Sequence, residues 1–148
     1  MFQKEDIIEI INLVSKPYGF KQSGNNWKYE YNEITKIINL QKSLYSKQYY
    51  VNYGYIINKL KLDDMKMHVF NGLGNIDEIE NKKIIESLNL ENNINDEKRK
   101  IDLEEILKDL LNKMNLINSV EDIKKELLSR QTLNDIPTIV KDQLGIRK

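Results

Sequence analysis

The apolar residues of this chain change their period partway along it. In residues 27–57 they alternate with polar ones, and in residues 101–128 they recur every three or four positions. Alternation places side chains on the two faces of a strand, while spacing by three and four places them on one stripe of a helix. Strands grouped in one half and helices in the other predict an α+β fold rather than an alternating α/β one.

The pattern predicts the following elements. Ile7, Ile10, Ile11 and Val14 form a helical stripe, with Glu5 and Asp6 in its first turn and Pro17 at its end. Acids suit the positive end of a helix, and an interior proline stops one. Tyr18-Gly19-Phe20 reads as a turn into a short extended piece, and Ser23-Gly24-Asn25-Asn26 as a further turn. Strands are expected at 27–31, 34–41, 48–57 and 67–73, with a tight turn at Asn32-Glu33. In the third of these, Tyr49, Val51, Tyr53, Tyr55 and Ile57 share one face, and Tyr50, Asn52, Gly54 and Ile56 the other. Ile79, Ile84, Ile85 and Leu88 suggest a weak helix, residues 91–100 a polar loop, and residues 101–114 a strong amphipathic helix. Ser119 resembles an N-cap for a helix through Leu128, and Asp135 a cap for a last short helix with Pro137 in its first turn. The expected architecture is one α+β domain over residues 1–148. A four-stranded antiparallel sheet would carry the N-terminal and C-terminal helices on one face and leave the other partly open. Trp27, Ile38, Leu40, Val51, Tyr53, Ile106, Leu107, Leu110 and Leu111 are the expected core.

Composition narrows the chemistry. The chain has 148 residues, no cysteine and one histidine, His68. Disulfides, thiolate metal sites and cysteine nucleophiles are excluded, and little imidazole chemistry is left. No cofactor and no metal are expected. The 23 basic and 23 acidic residues cancel, whereas DNA-binding domains usually carry a basic excess. The first residues lack a signal-peptide pattern and no apolar run is long enough to span a membrane, so a cytoplasmic protein is expected.

Candidate catalytic features have simpler readings. His68 has no partner visible in the sequence and reads as a packed or hydrogen-bonded strand histidine. Asp63-Asp64 reads as a solvated turn, and Glu104-Glu105 and Glu121-Asp122 as acids near helix starts. Gly72-Leu73-Gly74-Asn75 lacks the longer glycine pattern of a phosphate loop and reads as a β-turn. No catalytic residue is assigned.

The stretch from Ile34 to Leu62 differs from the rest. It holds Lys36, Lys42, Lys47, Lys59 and Lys61 with no acid, together with Tyr45, Tyr49, Tyr50, Tyr53 and Tyr55. The first 74 residues carry ten lysines against seven acids, and the remainder thirteen bases against sixteen acids. Two readings stay open: a sheet surface that binds an anionic partner, or an ordinary sheet with tyrosines in the core and lysines in water.

Phe20-Lys21, Gly24-Asn25-Asn26-Trp27, Ile38-Asn39-Leu40-Gln41-Lys42-Ser43, Ser46 and Tyr49-Tyr50-Val51-Asn52-Tyr53-Gly54 resemble the bacterial domain of unknown function 4304. The resemblance is clearest from Phe20 to Gly54, and His68 and Leu73 match a later strand. That family often has arginines between those two positions, where this chain has Val69, Phe70, Asn71 and Gly72. The resemblance implies a compact α+β domain and carries over no catalytic residue. The expected binding residues are Gln41, Lys42, Ser43, Tyr45, Lys47, Tyr49 and Asn52. The expected function is non-catalytic binding of another protein, with neutralisation of a bacterial toxin as the leading case. The alternative is binding of nucleic acid or another anion through a Lys/Tyr sheet face. Zero net charge disfavours nucleic acid as the partner, and no membrane partner is expected.

Overall fold

The structure is a computed structural model that describes residues 1–74 and 77–147. Helix α1 (Lys4–Ser15) leads through a single 3-10 turn into five strands. These are β1 (Lys21–Ser23), β2 (Asn26–Tyr31), β3 (Ile34–Lys42), β4 (Tyr49–Ile57) and β5 (Val69–Gly72). Helices α2 (Glu78–Ser87), α3 (Asp96–Met114), α4 (Val120–Leu128) and α5 (Thr138–Leu144) follow. The strands lie in chain order and every neighbouring pair is antiparallel.

The sheet therefore has five strands, not four. The extra one is β1, whose three residues are all exposed. So short and polar a segment shows no apolar alternation; it becomes a strand because the turn at Gly24 (φ 61°) folds it onto β2. The turn at Asn32 also has positive φ (54°), a conformation asparagine tolerates.

The two sheet faces differ. The inner face carries Trp27, Ile34, Ile38, Leu40, Val51, Tyr53, Tyr55, Ile57 and Val69, all in one cluster with the buried apolar residues of the helices. Every expected core residue is buried there. In α1 and α3 the buried residues follow the three-and-four spacing: Ile7, Ile10, Ile11 and Val14, then Leu103, Ile106, Leu107, Leu110, Leu111 and Met114. Trp27 Nε1 donates to Asn12 Oδ1 (2.7 Å), tying the sheet to α1. On the outer face Ile37 and Met67 are buried apart from that cluster. They flank Gly54, which pairs with Ile37, and a Cβ there would lie 2.6 Å from Met67 Sδ and 1.7 Å from the Val69 carbonyl oxygen.

Two buried cations close helix ends. Lys36 projects from the inner face and donates to the Met114 carbonyl (2.9 Å) and to Asn118 Oδ1 (2.8 Å) at the end of α3. Burial lowers its pKa, and Asp122 opposes that. Arg99 donates to the carbonyls of Ser87 (2.8 Å), Asn89 (3.1 Å) and Asn92 (2.8 Å) just past α2, with its guanidinium over the Phe2 ring. Both satisfy carbonyls that a helix end or the turn beyond it leaves free.

Arg99 also accounts for a difference in helix boundaries. The segment expected as a polar loop over 91–100 is helical from Asp96, with Asn95 Oδ1 capping the Glu97 and Lys98 amides. Its one buried residue there is charged, so apolar periodicity could not reveal it. Ser119 does cap α4, accepting from the Asp122 amide at 3.0 Å. Asp135 does not cap α5: Pro137 takes the N-cap position and no side chain bonds there. The turn expected at residues 72–75 ends outside the described residues.

Candidate functional site

The loop between β3 and β4 carries Ser43, Tyr45 and Lys47 of the expected binding residues, with Gln41 and Lys42 at the end of β3 and Tyr49 at the start of β4. It is held from both sides. The Ser43 amide donates to the Gln48 carbonyl (2.8 Å), and Ser43 and Ser46 hydroxyls accept from the Tyr45 and Gln48 amides (both 3.2 Å). Behind it, the Lys47 amide donates to Glu91 Oε1 (3.2 Å), the Leu90 amide to the Lys47 carbonyl (3.1 Å) and the Tyr49 amide to the Leu88 carbonyl (2.8 Å). On this anchored loop Leu44 and Tyr45 are 88% and 94% exposed, between exposed Lys42 and Lys47. Sequence reasoning included Tyr45 but missed Leu44, because a single leucine in a polar connection belongs to no periodic pattern.

Tyr49 takes a different place. It pairs with Lys42 across β3 and β4, but its ring lies in the core. Tyr53 and Tyr55 are core residues as well, and burial raises the phenol pKa of Tyr49 and Tyr55. Of the five tyrosines in this stretch, Tyr45 and Tyr50 are the exposed ones. The inner face is thus an ordinary tyrosine-bearing core face, as alternation requires.

Gln41 and Asn52 meet on the outer face. Asn52 Nδ2 donates to Gln41 Oε1 (2.9 Å) and to Asn39 Oδ1 (3.1 Å), and Asn39 Nδ2 donates to Asn26 Oδ1 (2.8 Å). Asn26, Asn39 and Asn52 are register partners across β2, β3 and β4. The result is a row of amides with one donor-to-acceptor direction, and Asn39 and Asn52 are only 3% and 5% exposed. Asn26 and Asn39 were missed as site residues although both stand in the motif quoted above. Nothing local distinguishes them from other asparagines until the register aligns them.

His68 is fully engaged by backbone. Nδ1 accepts from the Ile57 amide (2.9 Å) and Nε2 donates to the Lys61 carbonyl (2.9 Å), which fixes the tautomer and closes the loop between β4 and β5. Neither nitrogen faces a side-chain acid. Among the described residues no group of three or more His, Asp or Glu side chains could hold a metal ion, and no helix is long and apolar enough to cross a membrane.

What this arrangement offers is a rigid, partly apolar loop tip with lysines beside it, continuous with an outer sheet face of fixed amides. No curated protein and no solved structure matches the chain. The family model described as "Domain of unknown function (DUF4304)" matches residues 12–130, spanning the sheet, its amide row and the loop tip, and the chain belongs to that family.

Proposed function

We propose that this protein is a non-catalytic binding module that engages another protein through the β3–β4 loop and the outer sheet face beside it. The observation that carries the reading is the exposure of Leu44 and Tyr45 on a loop fixed by hydrogen bonds at its base and back. Interfaces draw most of their energy from a few aromatic and apolar anchors, and an anchor already held in place loses little entropy on binding. Lys42 and Lys47 at its flanks would steer an acidic surface toward it. Neutralisation of a bacterial toxin by a cytoplasmic protein is the biological setting that suits such a module.

The test is capture of partners from source cells with the wild-type protein, Leu44→Ser and Tyr45→Ala as parallel baits. A specific partner should be retained by the wild type and lost by both variants, chiefly through faster dissociation. Lys42→Glu and Lys47→Glu should slow association and flatten its salt dependence. If a partner is retained equally by all of these variants, the loop is not the interface. A neighbouring gene for a large secreted protein would supply the first toxin to test by co-expression.

A further inference from the structure

The outer face carries an arrangement that strand pairing normally avoids. Lys21 on β1 and Lys28 on β2 are direct register partners, so their side chains leave the same face side by side. Directly opposed like charges destabilise a sheet. Among the described residues, neither lysine reaches a carboxylate within ion-pair distance. Both line a hollow of about 640 Å³, together with Ser23, Thr35, Ile56 and the single acid Glu30. The hollow combines two ammonium groups, two hydroxyls and an apolar wall. It lies on the sheet face that also carries Tyr50 and the amide row, toward the β2–β3 turn and at the other end of β3 from the lysine-flanked loop.

We propose that the Lys21–Lys28 hollow is a binding site for the carboxylates of an acidic, extended segment of the partner protein. The proposal rests on the protein-binding reading above and names the chemistry of that partner. Charge complementarity selects the occupant. Lys21 and Lys28 stand together on the outer face, Lys42 and Lys47 flank the loop at the far end of β3, and Glu30 is the one acid lining the hollow. A carboxylate between Lys21 and Lys28 removes their repulsion, so the unfavourable pairing in the free protein becomes favourable in the complex. Ser23 adds a hydroxyl donor for the same oxygens, while the Thr35 hydroxyl at the wall of the hollow donates to Asn58 Oδ1 (2.7 Å).

Hexaglutamate is the probe, titrated at low salt into isotopically labelled wild type, Lys21→Gln, Lys28→Gln and the double variant. Hexathymidylate DNA and inorganic phosphate are parallel arms. Hexaglutamate should shift the amide resonances of Ser23, Lys28 and Thr35, and the double variant should bind it at least about tenfold more weakly. The same variant should melt at or above the wild-type temperature, because it loses a like-charge pair. Tighter binding of hexathymidylate or phosphate than of hexaglutamate would overturn the assignment to an acidic peptide. So would shifts confined to the helical half, no binding at low salt, or unchanged affinity in the double variant. A double variant that melts lower would show the lysines to be structural. Tyr45→Ala is carried alongside with any captured partner. A partner lost by Tyr45→Ala and kept by the lysine variants overturns this site alone, and one kept by all overturns both readings.

Discussion

Asn52 donates to Asn39 across β4 and β3 at 3.1 Å, and Asn39 in turn donates to Asn26 on β2 at 2.8 Å. Each asparagine orients the next, so the row is a nearly buried chain of amides of fixed direction. Removing the middle member strands a nearly buried donor of Asn52. Asn39→Ala should therefore cost about 1–3 kcal/mol. Its coupling with Asn52→Ala in a double-mutant cycle should be about 0.5 kcal/mol or more. Additive losses in denaturant unfolding would show that the row is not a unit.

Gly54 and Gly72 should respond in opposite ways to the same substitution. A Cβ at Gly54 would meet the Val69 carbonyl oxygen at 1.7 Å, whereas one at Gly72 meets nothing within 4 Å. Gly54→Ala must push β5 away, with a cost at or above the upper end of about 1–3 kcal/mol. Gly72→Ala should stay within about 0.5 kcal/mol. Equal melting temperatures for the two variants would contradict the close approach of β4 and β5.

His68 should matter for stability rather than for chemistry. Replacement by leucine leaves the Ile57 amide and the Lys61 carbonyl without their ring partners. His68→Leu should cost about 1–3 kcal/mol. His68→Gln should leave partner binding largely intact at temperatures where the protein is folded. A hundredfold loss of binding by folded His68→Gln would place the histidine in the functional site.

Alkaline pH should unfold the protein through its core phenols. Burial raises the pKa of Tyr55, with Tyr53 and Glu126 adding to the shift and Arg130 opposing it. Burial and Glu5 raise that of Tyr49. The folded state then holds these protons more tightly than the unfolded chain. The stability is fully present below the unfolded value of about 10 and is lost as pH rises through the folded values. Lys36 acts in the other sense: its folded pKa is lowered, so stability rises with pH between that value and about 10.4. Tyr55→Phe should flatten the fall in unfolding midpoint between about pH 10 and pH 12. An unchanged slope in Tyr55→Phe and in Tyr49→Phe would remove the phenols as its cause.

Local periodicity was enough to determine much of this protein. A period of two on β4 already divided Tyr49, Val51, Tyr53, Tyr55 and Ile57 from Tyr50 and Asn52, because successive side chains on a strand must point to opposite faces. Spacing by three and four found the buried stripes of α1 and α3 for the same kind of reason. The exposed loop tip at Tyr45 followed from its place between two strands. What the tertiary structure alone decided are relations between distant segments. Pairing with β2 made Lys21–Ser23 a fifth strand. Packing against helix ends buried Lys36 and Arg99, two residues that any hydropathy argument leaves in water. Register brought Asn26, Asn39 and Asn52 into one row and set Lys21 opposite Lys28. Periodicity assigns a residue to a face, but only the alignment of strands says which residue stands beside it, and the candidate site is made of such neighbours.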